Sequence, residues 1–405
     1  MLVLAALAVL TALSAAWTIG EPADALRWGA VGAGYAGIAL TGYAVARRGG
    51  GAAVALLLVG LAVATGLIGL LAAAIQEQPF AERIGGAWRP GGPFEYPPAL
   101  GALQLAALPL GLWWMAAAGG KHATGALTVA IAAAVVALIS SRAILALGAL
   151  LLVAVAVWPQ RTVGCARPMA LAAIALILSA GGAADAVAGS YAEPYISTSD
   201  LPRILGLALL LPATVGLWIV LRSCFDDAGE VRSKRRARAL ALALIPLFCS
   251  LTAAATTADG GEGVEPDSGV THGRIDIWGD AISTAFHGPP EGAGARTFAI
   301  ASQTYQDPPR TRFAHNLVLE DWVELGYAGL LLSLLLIGIA AALIARSRRT
   351  PAAWLLAPGA AAYLVASLID WPWQVPASAA VFAFILGALA ADPVPLRPPL
   401  TTKTP

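Results

Sequence analysis

Residues 312–336 read RFAHNLVLEDWVELGYAGLLLSLLL. The first half carries Arg312, His315, Asn316, Glu320, Asp321 and Glu324, and from Tyr327 to Ala345 there is no charge at all. A helix needs about 20 apolar residues to cross roughly 30 Å of hydrocarbon, so this segment reads as a chain entering a membrane. One of only four histidines in the chain stands just outside that entry.

The rest of the sequence repeats the apolar half. The chain has 405 residues, 58% hydrophobic and 12% charged, with a mean hydropathy of +0.74, a composition that excludes a single water-soluble core. Apolar runs of membrane-crossing length recur near residues 2–19, 26–46, 52–75, 97–118, 123–140, 143–158, 168–185, 203–221, 239–256, 326–345, 352–369 and 375–391, predicting an all-α integral membrane protein of about twelve spans in one polytopic domain, residues 1–405. The first run lacks a basic start and leads into further spans, so it is read as an uncleaved helix. Cys165, Cys224 and Cys249 show no C-x-x-C spacing and fall in short inner loops or a span, predicting neither a disulfide framework nor a zinc site. A net charge of +1 gives no reason to expect nucleic acid as a partner.

Orientation follows from the basic residues. With both termini in the cytoplasm, ARRGGG, GGKH, PQRTVGCARP, RSCFDDAGEVRSKRRAR, RSRR and the tail hold most lysines and arginines inside. The outer side keeps only arginines: Arg27, Arg83, Arg89, Arg142, Arg203, Arg274, Arg296, Arg310 and Arg312. These run against the positive-inside rule and need local reasons.

One long external loop is predicted, residues 257–324, between spans nine and ten. Its first part, ADGGEGVEPDSG, is glycine-rich and acidic. In GRIDIWGDAISTAF, Ile275, Trp278 and Ile282 recur at helical spacing, predicting a helix that lies on an apolar surface with Arg274 beside Trp278. Pro289 and Pro290 stop it, and Gly292 and Gly294 allow a tight turn with close backbone approach. A second helix is predicted from near Thr311, carrying His315 on one face with Leu319 and Trp322.

These segments together, GRIDIWGDAI, GPPEGAGARTF and AHNLVLEDWVELGYAGL, resemble the C-terminal signature of the O-antigen ligase and O-antigen polymerase family: R-x-x-x-W, G-x-G-x-x-x-F, then H-N-x-x-L with E-x-G-x-x-G. GGPFEYPPALGALQLAALPL and SSRAILALGALLL are similar to two earlier family segments, with Tyr96, Pro97 and Pro98 where an asparagine often stands and Ala143 where glycine is usual. The resemblance implies an inverting, metal-independent glycosyltransferase of the bacterial plasma (inner) membrane, working on the external face. The donor would be an undecaprenyl-diphosphate-linked glycan and the acceptor a glycan, a lipid-linked glycan or a protein, with membrane lipids around it and no cofactor. Ligases and polymerases share the motifs.

The residue chemistry suits that reading. A sugar diphosphate already carries a good leaving group, so an enzyme must hold the diphosphate, offset its developing charge and take a proton from the acceptor hydroxyl. Arginine forks meet phosphate oxygens in pairs and stay charged, which points to Arg142 and Arg274. An imidazole suits proton abstraction near neutrality, which points to His315 as the base. Asn316, Arg310, Arg312, Trp278, Gly292 and Gly294 are the expected substrate-binding neighbours. No D-x-D or histidine cluster suggests a metal.

Plainer roles stay open at this point. His315 could pack at a helix start, Arg142 could snorkel to head groups, and Arg274 could pair with Asp276 or Asp280. Arg310 and Arg312 could meet anionic lipid or the Glu320, Asp321, Glu324 patch. In SLIDWPWQVP the expectation is an interfacial anchor through Trp371 and Trp373, with Asp370 able to face a cavity. From other functional classes, a transporter or flippase of lipid-linked glycan and a non-catalytic envelope scaffold remain alternatives; no internal repeat or paired broken helices favour the former.

Overall fold

The computed structural model describes residues 1–84, 87–116, 122–139, 274–306, 311–347 and 353–391. Four expected spans (143–158, 168–185, 203–221 and 239–256), the lead-in of the long loop, Arg142 and Arg310 lie outside these residues. What is described is mostly helical and divides into two compact units: the described residues of 1–54 with those from 274 to 391, and the described residues of 55–139.

Helix α1 (Leu2–Leu13) is followed by α2 (Pro22–Ile75). The latter is two apolar segments joined at Gly50, whose φ of 67° and ψ of −174° are non-helical and available to glycine at little cost. α3 is Pro97–Ala116 and α4 His122–Ile139. Beyond the undescribed stretch come α5 (Arg274–His287), the short α6 (Phe298–Ala301), α7 (Leu317–Arg346), α8 (Ala353–Ile369) and α9 (Pro376–Ala390). Among the described residues, Pro22–Arg48, Gly50–Ile75 and Leu317–Arg346 are long and apolar enough to cross a membrane, consistent with a membrane protein.

Not everything is helix. Ala81–Ile84 (β1) and Ala87–Pro90 (β2) pair antiparallel, with Glu82 opposite Arg89 and Arg83 opposite Trp88. Their apolar side, Ala81 and Trp88, packs on Ala72 and Ala73 of α2. This hairpin departs from the all-α expectation, because short strands flanked by Gly and Pro leave no helical period to detect. It also gives Arg89 a local reason: burial lowers the guanidinium pKa from its usual value, partly offset by Glu82 across the hairpin.

In the first unit, glycines let helices approach closely. A Cβ at Gly42 of α2 would meet the Phe384 carbonyl of α9, and one at Gly387 would meet the Ala39 carbonyl. Small residues at facing positions are how apolar helices pack where lipid removes the hydrophobic drive between them.

α7 begins later than the sequence predicts. Asn316 is its N-cap, its side-chain oxygen accepting the amides of Val318 at 3.0 Å and Leu319 at 3.2 Å, so Leu317 is the first helical residue and His315 stands outside the helix. Asparagine ranks among the best N-caps and satisfies amides that a helix start leaves orphaned, which outweighs the apolar spacing read through Thr311.

α7 then breaks at Gly326 (φ 65°, ψ −155°). The break frees carbonyls, and the loop after α5 takes them: Ala293 donates to Val323 O at 3.0 Å, Gly294 to Glu324 O at 2.8 Å, and Tyr327 donates to Pro290 O at 3.1 Å. A Cβ at Gly292 would collide with the Glu324 carbonyl and the Gly326 amide. The two glycine motifs are thus halves of one joint.

Candidate functional site

The joint positions everything that follows. The Glu324 side chain accepts the amides of Arg296 at 2.7 Å and Phe298 at 3.0 Å, holding the start of α6. Glu320 accepts the Ala314 amide at 3.1 Å and the Gln374 side chain at 2.8 Å. Both glutamates are buried, and Glu320 serves the backbone next to His315 while Glu324 serves the turn into α6.

His315 itself has a φ of 52°, a left-handed conformation uncommon for a non-glycine residue. The Asn316 cap on one side and the Glu320–Ala314 bond on the other pin it there. Its Nδ1 lies 3.1 Å from Oδ1 of Asp370, and the same oxygen accepts the Trp371 amide at 3.0 Å. Asp370 follows α8 and is buried, and Asn316 Nδ2 donates to Leu368 O at 3.0 Å, fastening the His315 segment to the end of α8. An ionised carboxylate can only accept, so Nδ1 donates toward Asp370, and in the neutral tautomer this leaves the lone pair on Nε2.

Arg274 opens α5 and reaches the other oxygen of that carboxylate, with Nη2 3.6 Å from Asp370 Oδ2. That separation is an ion pair longer than a hydrogen bond, so the charge is held near without being fully consumed. Asp370 is thus an ion-pair partner of Arg274. Nε of Arg274 and Nε1 of Trp278 are buried with no hydrogen-bond partner among the described residues.

Two of the residues proposed from sequence, His315 and Arg274, thus meet at Asp370, with Asn316 tied to the nearby Leu368 carbonyl and Trp278 one turn from Arg274 on α5. Arg312 is exposed three residues before His315. Gly292 and Gly294 are buried in the joint with α7, so the close approach they permit is to the chain itself: Gly292 against Glu324 and Gly326, and Gly294 against Thr18. Asn316 caps a helix and ties two segments rather than touching the imidazole.

Two residues were given less weight in the sequence than the structure assigns. Asp370 is the hub; its signal was an acidic residue between two apolar runs, where an unpaired charge is expensive. Arg296 (φ 66°) places its guanidinium 4.3 Å from the centroid of Trp28 and 5.1 Å from that of Phe313, and Phe313 stacks on Trp371 at 4.6 Å. Its signal was its place between Gly294 and Phe298. Trp371 and Trp373 are both half-buried, Trp371 stacked on Phe313 and Trp373 packed edge-on against Tyr35 at 5.4 Å. Trp28, Arg296, Asp321 and Gln374 line a cavity beside this stack, and Oδ2 of Asp321 is buried with no hydrogen-bond partner among the described residues.

No family model and no curated protein matches this chain.

Proposed function

We propose that the protein is a membrane glycosyltransferase that moves a glycan from a polyprenyl-diphosphate carrier to an acceptor hydroxyl, the O-antigen ligase or polymerase type of reaction, on the external face of a twelve-span bacterial plasma-membrane protein. The observation that carries the reading is the shared carboxylate: Asp370 contacts His315 on one oxygen and Arg274 on the other.

In the proposed reaction His315 Nε2 takes the proton of the acceptor hydroxyl. The acceptor oxygen bonds to the anomeric carbon from the face opposite the diphosphate, the bond from that carbon to the diphosphate oxygen breaks, and lipid diphosphate leaves with the electron pair. Asp370 keeps the imidazole in the useful tautomer and stabilises the imidazolium that forms. Arg274 lies close enough to add positive charge at the leaving oxygens, with Arg312 as an exposed second cation and Arg142 and Arg310 as further arginines from sequence.

The test is direct. Purified full-length protein in vesicles, given polyprenyl-diphosphate oligosaccharide and a panel of glycan, lipid-glycan and protein acceptors, should release lipid diphosphate in step with formation of the glycosylated acceptor. Movement of intact donor between leaflets with no release would replace this reading with a transporter.

A further inference from the structure

Helix α5 has an apolar arc wider than its contact with the protein. At about 100° per residue, Ile277, Ala281 and Ala285 fall on one flank, and this flank packs with Phe298, Ala314 and Val323. Ile275, Gly279, Ile282 and Phe286 fall on the adjoining stripe. That stripe is open: Ile275 is 61% exposed and Phe286 64%, with Ile282 also exposed. The polar residues Asp276, Asp280, Ser283 and His287 form the remaining edge. The surface on which the sequence places Ile275 and Ile282 is therefore not another part of the described protein.

What covers it is indicated by where the stripe leads. Phe286 meets Trp322 edge-on at 5.0 Å, and Trp322 meets Tyr327 at 6.1 Å. Tyr327 is the first residue after the Gly326 break and opens the uncharged run of α7, whose Leu331, Leu334 and Leu335 are exposed on one face. An exposed leucine face on a membrane-crossing helix is a lipid face. The α5 stripe continues that face around the aromatic corner, and tryptophan and tyrosine at such a corner belong at headgroup level. The stripe is also too small for a protein partner: three large side chains on a 14-residue helix fall well short of the roughly 800 Å² each side of a stable interface buries.

We propose that α5 lies in the interfacial layer of the leaflet at the Gly326 end of α7, with Ile275, Ile282 and Phe286 in the acyl boundary and Asp276 and His287 toward water. The helix begins with Arg274, so bilayer seating sets the height of the Arg274, Asp370 and His315 cluster at the headgroup plane, where a lipid diphosphate resides. Only this last consequence rests on the glycosyltransferase reading.

The experiment reads depth without any turnover. In full-length protein with Cys165, Cys224 and Cys249 replaced by serine, single cysteines at Ile282, Phe286 and, as the water-side control, Asp276 are labelled with bimane in phosphatidylethanolamine and phosphatidylglycerol vesicles. Labels at 282 and 286 should be quenched several-fold more by a shallow lipid-borne nitroxide than the label at 276, with aqueous iodide giving the reverse order. Equal iodide quenching at all three positions overturns the proposal, and so does label self-quenching that grows with protein density, which would mark a second copy as the occupant. If a labelled variant fails to insert, unmodified protein treated with a lipid-borne diazirine should be marked at Ile282 and Phe286 over Asp276, and absence of that preference also overturns it. Lipid seating with no transferase activity would leave the helix assignment standing while removing the functional one.

Discussion

Asp370→Asn is the sharpest perturbation of the proposed site, because it changes charge and tautomer with almost no change in shape. In the wild type, Asp370 Oδ1 accepts from Nδ1 of His315 at 3.1 Å and Oδ2 lies 3.6 Å from Arg274. Two unit charges at that separation attract by about 4 to 5 kcal/mol at an effective dielectric of roughly 20, before solvation costs are subtracted. Asp370 is buried and Arg274 retains some access to water, so the net destabilisation should be roughly 2 to 3 kcal/mol, below that of a fully buried pair. Asparagine can also turn its amide nitrogen toward Nδ1, which moves the imidazole proton to Nε2 and removes the lone pair from the acceptor. The expected loss in transfer rate is about 10²- to 10⁴-fold, the usual worth of a general base. The assay is release of lipid diphosphate from vesicle-bound protein, with donor binding measured separately and melting followed in detergent. Binding should survive while transfer fails. The double variant His315→Ala with Asp370→Asn should lose little more than His315→Ala alone, since residues acting as a unit are not additive. Turnover of Asp370→Asn within a few-fold of wild type, in protein that inserts normally, would refute the dyad.

Other expectations follow from the same contacts. Arg274→Lys keeps the charge and loses the planar fork, and transfer should fall about 30- to 1,000-fold, or roughly 2 to 4 kcal/mol of barrier, in the same release assay. Gly292→Ala adds a Cβ against the Glu324 carbonyl at a φ of +85°, and should cost roughly 1 to 3 kcal/mol, visible as a lower melting temperature and reduced insertion whatever the substrate. Glu324→Gln should weaken the fold by about 1.5 to 3 kcal/mol, because one arm of the amide is a donor and would face the Arg296 or Phe298 amide that Glu324 now accepts; a melt that is unchanged would remove Glu324 from the joint. Accessibility probes at Glu230 and Glu262 should read cytoplasmic and external, as the arginine and lysine distribution requires.

Local physics made much of the chain legible. Among the described residues the apolar runs marked the helices, since a helix satisfies its own backbone and the length of the run reveals it. The helix from Arg274 to His287 was readable from its spacing and from the prolines that follow. The start of α7 was misread because an apolar period extends upstream through residues that an asparagine cap excludes from the helix; a cap is a single side chain choosing one geometry, and periodicity is blind to it. His315 and Arg274 were picked out as residue types suited to the chemistry, but nothing along the chain joins them.

That joining belongs to the tertiary structure. Asp370 sits far along the sequence from both residues it pairs with, and the Arg296 column draws on Trp28, Phe313 and Trp371 from three distant segments. Glycines that sequence reading offered to a substrate are spent where a loop fills the break at Gly326, a need created only once the helix breaks. By itself the sequence determined a mostly helical chain with helices long and apolar enough to cross a membrane, and a histidine just ahead of one of them. Which carboxylate they share was decided by packing, because a charge buried at the end of a helix must find partners wherever the fold brings them.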